Sequence, residues 1–167
     1  MHYRATKITL LVAAATIILS SLAIAQANCN VYTGDFTAVA PATCSSPVGI
    51  CTHGTLTGQF PSTYDFSVDT LVPANDPASP NKFLYTGHST ITAADGAQMF
   101  GHDSGFLYIE ADGHAPFVTT VKIAGGNQEF SHVSGKFVAP GVLHLADGST
   151  DGTYTATICH GNSGNDD

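Results

Sequence analysis

The chain has 167 residues, with 5 lysines and arginines against 13 carboxylates, a formal net charge of −8 and 43% hydrophobic residues. Arg4 and Lys7 stand at the very start, so beyond them only Lys82, Lys122 and Lys136 oppose the acids, and no arginine remains. Nucleic-acid binding needs a broad cationic footprint and is excluded, and the same scarcity counts against anionic membranes and phosphorylated substrates.

The first segment, 1–27, reads as a secretory signal peptide. Arg4 and Lys7 precede the apolar run Ile8–Ile24, and small residues follow at Ala23, Ala25 and Ala27. Cleavage after Ala25 or Ala27 satisfies the small-x-small rule equally well. No basic stop-transfer cluster follows, so no stable membrane anchor is expected after cleavage, and the destination is the periplasm or the medium. About 140 residues remain, the size of one domain.

Export carries Cys29, Cys44, Cys51 and Cys159 into an oxidising compartment, where an even number argues for two disulfides with three pairings open. Cys51 starts the first strong strand and Cys159 ends the last. If those strands are neighbours in a closed barrel, Cys51–Cys159 with Cys29–Cys44 is favoured over Cys44–Cys51 with Cys29–Cys159.

Residues 28–49 read as an N-terminal segment holding a cysteine-tied loop at Pro41–Pro47, with Val31–Val39 as a short first strand. The β-domain proper is expected over 50–160. Ile50–Phe60 and Ser62–Val72 form a hairpin about Pro61. PANDPASPN, with three prolines, is a long loop. Lys82–Ala94 and Gln98–Glu110 are joined by Asp95-Gly96, a strong turn dipeptide, and His114–Ala124 follows Asp112-Gly113. Next come a turn at Gly125-Gly126, a strand Val133–Leu145 broken near Pro140-Gly141, and a last strand Thr153–His160 after Asp147-Gly148 and Asp151-Gly152. Residues 161–167 read as a polar tail. No helical periodicity of useful length occurs, so the pattern predicts an all-β domain.

About eight strands predict an antiparallel closed barrel, whose interior is either packed or just wide enough for one small ligand. Tyr64, Phe66, Tyr85, Ile91, Phe106, Tyr108, Phe117, Val121, Ile123 and Phe137 are expected to face the lumen. Gly125 and Gly126 allow the chain to reverse or bulge, and Ile123 and Phe130 set the register around them.

The run IAGGNQEFSHVSG, Ile123–Gly135, is similar to the I-x-GGTG-x-F-x-x-A-x-G signature of plant dirigent proteins and allene oxide cyclase-like barrels. Gly125, Gly126, Phe130 and Gly135 fall in register, while Asn127-Gln128 stands where the signature has Thr-Gly. YTATICH at Tyr154–His160 resembles the dirigent ending Y-N-V-T-V-x-H. CTHGTLTGQF, YTGHSTIT and ADG resemble secreted bacterial proteins with an allene-oxide-cyclase-type domain. The resemblance spans Cys51 to His160. It implies a calycin-like eight-stranded barrel, a trimer or dimer, and a hydrophobic lumen that guides reactive apolar intermediates.

For chemistry, His102-Asp103 offers a histidine beside a carboxylate in an apolar strand, a candidate proton shuttle. Adjacent strand residues face opposite sides, so one of the two faces the lumen unless Gly101 or Gly105 introduces a bulge. Glu110, in phase with Phe106 and Tyr108, is a second candidate base at the barrel mouth. Tyr64, Tyr85, Tyr108 and Tyr154, with Phe66, Phe106 and Phe117, form the expected ligand-binding set, because a buried phenol finds a polar partner. Seven histidines follow the leader, and His53 with His88 is the pair best placed for a metal. No H-x-H or H-E-x-x-H spacing supports one, so no metal or cofactor is expected. The reading that follows is a small exported barrel binding an apolar or phenolic small molecule. The alternatives are a cyclase or isomerase steering a reactive intermediate, and a structural or adhesive extracellular module.

Overall fold

The computed structural model describes residues 28–161; the expected leader and most of the polar tail lie outside the described residues. Eight strands follow one another: β1 Asn28–Val39, β2 Cys51–Leu56, β3 Ser62–Pro73, β4 Lys82–Ala93, β5 Gln98–Tyr108, β6 His114–Gly126, β7 Val133–His144 and β8 Ser149–His160. Each pairs antiparallel with the next and β8 pairs with β1, closing the sheet into a barrel. Beside the strands, the described residues contain a 3₁₀ turn at Gln128–Phe130, and no helix there is long and apolar enough to cross a membrane.

The barrel starts earlier than the sequence suggests. β1 is a full stave running from Asn28, not a short strand ahead of a domain that begins at residue 50. Alternation of Tyr32, Gly34, Phe36 and Ala38 on one face hides this, because glycine and alanine break the apolar rhythm by which a strand is recognised. The disulfides change accordingly. β1 takes the place beside β8 that the sequence assigned to β2, and Cys29 sits opposite Cys159, Cα to Cα 3.9 Å. The bonds are Cys29–Cys159 and Cys44–Cys51, the pairing disfavoured above. Both belong to an oxidising environment.

Two further boundaries move. β7 passes through Pro140-Gly141 without a break, and β8 begins at Ser149, so Asp151-Gly152 is strand rather than turn. Gly152 is there for space: a Cβ would come 2.7 Å from the ring of Phe36. The same reason recurs around the barrel. Tyr154 lies opposite Gly34, Tyr64 opposite Gly54, Tyr85 opposite Gly105 and Phe117 opposite Gly141, each ring filling the room left by a missing side chain on the next strand. Such cross-strand pairs pack the narrow bore and hold register.

The two ends of the barrel differ. At the end carrying residues 57–61, 94–97 and 127–132, the bore is plugged. Phe60 and Phe130 lie at 6.3 Å, centroid to centroid, Phe60 and Phe137 at 6.4 Å, and Met99, Ala97 and Ile158 are buried beneath them. The glycine pair delivers this plug. Gly125, at φ +138°, sits at an irregularity where β6 carries an extra residue against β5, and Asn127 Oδ1 accepts from the Gln98 amide at 2.7 Å. The chain then turns inward through Gln128 and seats Phe130. Gly135, at φ +153°, passes too close to the Thr157 carbonyl to carry a side chain. The other end, where β3, β5 and β7 finish, stays open inside.

Candidate functional site

Toward that end the bore holds a cavity of about 130 Å³. Phe36, Phe66, Ile91, Phe117, Val121 and Phe137 form its walls, and Ile50, Leu71, Leu107 and Leu143 surround it where the strands end. Ile50 is brought there by the loop 40–50. The Cys44–Cys51 bond closes this loop, the Val68 amide donates to the Ile50 carbonyl at 3.0 Å, and Ser46 Oγ donates to the Val68 carbonyl.

Few polar groups enter this apolar space. Asp103 projects from β5 between Gly87 and Val121 of the flanking strands, 4% exposed. Ser89 Oγ donates to Asp103 Oδ1 at 2.9 Å, and Asp103 Oδ2 is buried with no hydrogen-bond partner. Desolvation raises the Asp103 carboxyl to about 7, the serine bond opposing and Asp69 adding to the rise. A carboxyl there is neutral over most of the acidic range and carries a proton it can donate. Tyr85, next to it, bonds Thr119 across Gly105, and burial pushes its phenol up to about 12. Tyr64 is likewise raised to about 12 by burial, with Thr150 and Thr52 as side-chain partners.

The expected site residues divide. Tyr64, Phe66, Tyr85, Phe117, Tyr154 and Asp103 line the cavity. The Tyr154 hydroxyl is already committed, donating to the Thr57 carbonyl at 2.9 Å, so it anchors the 57–60 turn. Phe106 and Tyr108 stand on the outer wall, their rings 5.6 Å apart beneath the Lys82 ammonium. Placing them inward was wrong by one residue of phase. The inner face of β5 is Met99, Gly101, Asp103, Gly105 and Leu107, and its glycines admit Val121 and Tyr85 from the neighbours. His102 therefore faces solvent, and Glu110 lies past the strand in the β5–β6 turn, exposed. Neither meets Asp103 in the lumen, so no His-Asp relay forms there.

Ser89, Thr119, Thr52 and Thr150 were not singled out from the sequence. Phase alone could have found two of them: Ser89 shares a face with Tyr85 and Ile91, and Thr119 with Phe117 and Val121. On the outside, His53 meets Asp65 at 2.7 Å and His88 meets Asp69 at 3.0 Å. Among the described residues no group of three or more His, Cys, Asp or Glu is arranged to hold a metal ion.

The fold and the site define a closed β-barrel with a small apolar lumen and, among the described residues, one buried carboxyl. No family model matches the sequence, and no curated protein matches it. Among solved structures the chain is similar to that of a pterocarpan synthase dirigent protein, at 12% identity and a TM-score of 0.32, over 89% of this chain and 100% of that one. At that level of likeness no residue role carries over.

Proposed function

We propose that the protein is exported, losing its leader in the process, and binds a small apolar or phenolic molecule in the barrel lumen. The supporting observation is Asp103, whose Oδ2 is buried without a hydrogen-bond partner, in a residue that lines a cavity walled mainly by rings and aliphatic side chains. An unmade hydrogen bond on a buried group costs about 1–3 kcal/mol, and a ligand oxygen supplies the missing partner. Size narrows the class. An apolar cavity of roughly 150 Å³ takes a benzene-sized molecule, whereas drug-sized ligands occupy about 300–1,000 Å³. The ligand is therefore of the order of one ring, with one polar substituent. Burial of its apolar surface provides the affinity, at about 25 cal/mol per Å².

The same carboxyl favours a second reading as a cyclase or isomerase. A group with a pKa near 7 exchanges a proton with a bound molecule close to neutral pH, and a ligand filling the apolar bore would displace water from around it.

Thermal unfolding with p-cresol and with toluene tests the first reading. Both ligands raise the melting temperature, p-cresol more at equal concentration. Asp103→Leu abolishes the preference while keeping the toluene shift, and Ala139→Trp, which fills the bore, abolishes both. A wild-type protein whose melting temperature is indifferent to both ligands would rule the proposal out. The second reading stands or falls on turnover of a bound substrate that Asp103→Asn eliminates without loss of binding.

A further inference from the structure

Composition counts charges but does not place them, and the placement is uneven. Strands β4 to β7 contain one carboxylate among them, Asp103, and it points into the lumen. Their outer face carries no acid at all. The lysines beyond the leader lie on these strands, Lys82 on β4, Lys122 on β6 and Lys136 on β7. Two of them are direct cross-strand neighbours, since Lys122 pairs with Lys136. The row continues in register, Lys122 with His102 and His102 with His88. Four nitrogen-bearing side chains thus stand side by side, one per strand, all exposed.

Like charges directly opposite one another destabilise a sheet. A chain with thirteen carboxylates has ample means to neutralise three lysines, yet among the described residues no carboxylate pairs with Lys122 or Lys136. His88 has one, Asp69 on its Nδ1, which leaves its other ring nitrogen free for a ligand. Phe100 flanks the row on β5, one outward position from His102 and 42% exposed.

We propose that the row His88–His102–Lys122–Lys136 binds a linear acidic polysaccharide, a chain of uronate rings. Strands are about 4.8 Å apart, so the row spans roughly 14 Å with one donor per strand. That spacing suits a polymer with one carboxylate on each sugar ring. Phe100 offers its face to the C–H side of a ring. A flat anionic bilayer fits less well, because the row crosses four successive strands of a closed barrel and so follows a curved wall rather than a plane. Duplex DNA, with a charge every ~1.7 Å, needs more cations than two lysines supply.

Affinity electrophoresis of the protein through gels containing polygalacturonate tests the assignment. Retardation is expected in polygalacturonate and absent in neutral dextran, and it fades as salt shortens the screening length. Lys122→Gln and Lys136→Gln each weaken binding about three-fold, the size of one exposed charge pair, and the double variant about ten-fold. Lys82→Gln changes net charge equally but lies off the row, and leaves binding unchanged. All variants melt within a degree or two of the parent, or slightly above it where lysine repulsion is relieved. Equal losses from Lys82→Gln and Lys122→Gln, binding to phosphatidylserine vesicles or single-stranded DNA at least as tight as to polygalacturonate, or no retardation at all would overturn the proposal.

Discussion

Tyr85 stands directly opposite Gly105, and its ring crosses the bare inner surface of that glycine to bond Thr119 on the far side. A Cβ at residue 105 would lie 2.5 Å from the ring and hydroxyl of Tyr85 and 2.4 Å from the Val118 carbonyl. Gly105→Ala is therefore expected to cost about 2–3 kcal/mol through overpacking. Urea unfolding gives the number, and the loss shrinks in a Tyr85→Leu background. An equal loss in both backgrounds would remove the ring from the explanation.

The buried carboxyl makes stability depend on pH in a defined direction. Asp103 keeps its proton up to about 7 in the folded chain, while an unfolded aspartate releases it near ~4. Between those values the native state holds a proton that the unfolded state has lost, so the contribution of this group falls as pH rises and is level above the window. Asp103→Asn removes it. The stability difference between parent and variant, measured in urea at pH 4 and pH 8, is expected to shift by about 2–4 kcal/mol in favour of the variant at pH 8. A difference that stays constant across that range contradicts the burial argument.

The two disulfides differ in reach. Cys29–Cys159 closes a separation of 130 residues and Cys44–Cys51 one of 7. Loop-closure entropy assigns about 4–5 kcal/mol to the first and roughly 2–3 to the second. Serine pairs at 29/159 should lower the melting temperature more than pairs at 44/51. The shorter bond holds Ile50 against the cavity, so its loss should instead weaken ligand shifts.

Phenylalanines inside and outside the wall separate by the same measurement. Phe130 plugs one end of the bore at 5% exposure, and Phe130→Ala is expected to cost about 3–5 kcal/mol. Phe106, on the outer wall beside Tyr108 and Lys82, should cost less than about 1 kcal/mol when changed to alanine. Comparable losses would return Phe106 to the interior.

Much of the barrel could be read in advance because its turns are marked. Gly96, Gly113 and Gly148 adopt positive φ in the Asp-Gly dipeptides that mark the turns, and β3 to β7 begin where the alternation of apolar residues resumes. The same glycines misled where they served space rather than turning. Gly152 reads as a break in β8 and Gly34 obscures β1, although both are mid-strand gaps beneath Phe36 and Tyr154. Phase in β5 is hidden in the sequence for a related reason. Bulky Phe106 and Tyr108 looked interior and Gly101 and Gly105 looked incidental, but the bore is too narrow for rings from every stave. Asp103 was visible as a candidate; its isolation from His102 and Glu110 was not, since that depended on phase. The disulfide pairing followed from which strand closes the sheet, and one stave more or less reverses it.

Closure between the first stave and the last has a bearing on how the chain is made. Eleven residues of β1, Asn28 to Ala38, face partners on β8, and Cys29 faces Cys159. During synthesis β1 emerges first and must wait with an open edge until the final dozen residues of the fold arrive. No shortened product can seal itself, and the covalent latch shuts only on a chain that has been delivered whole.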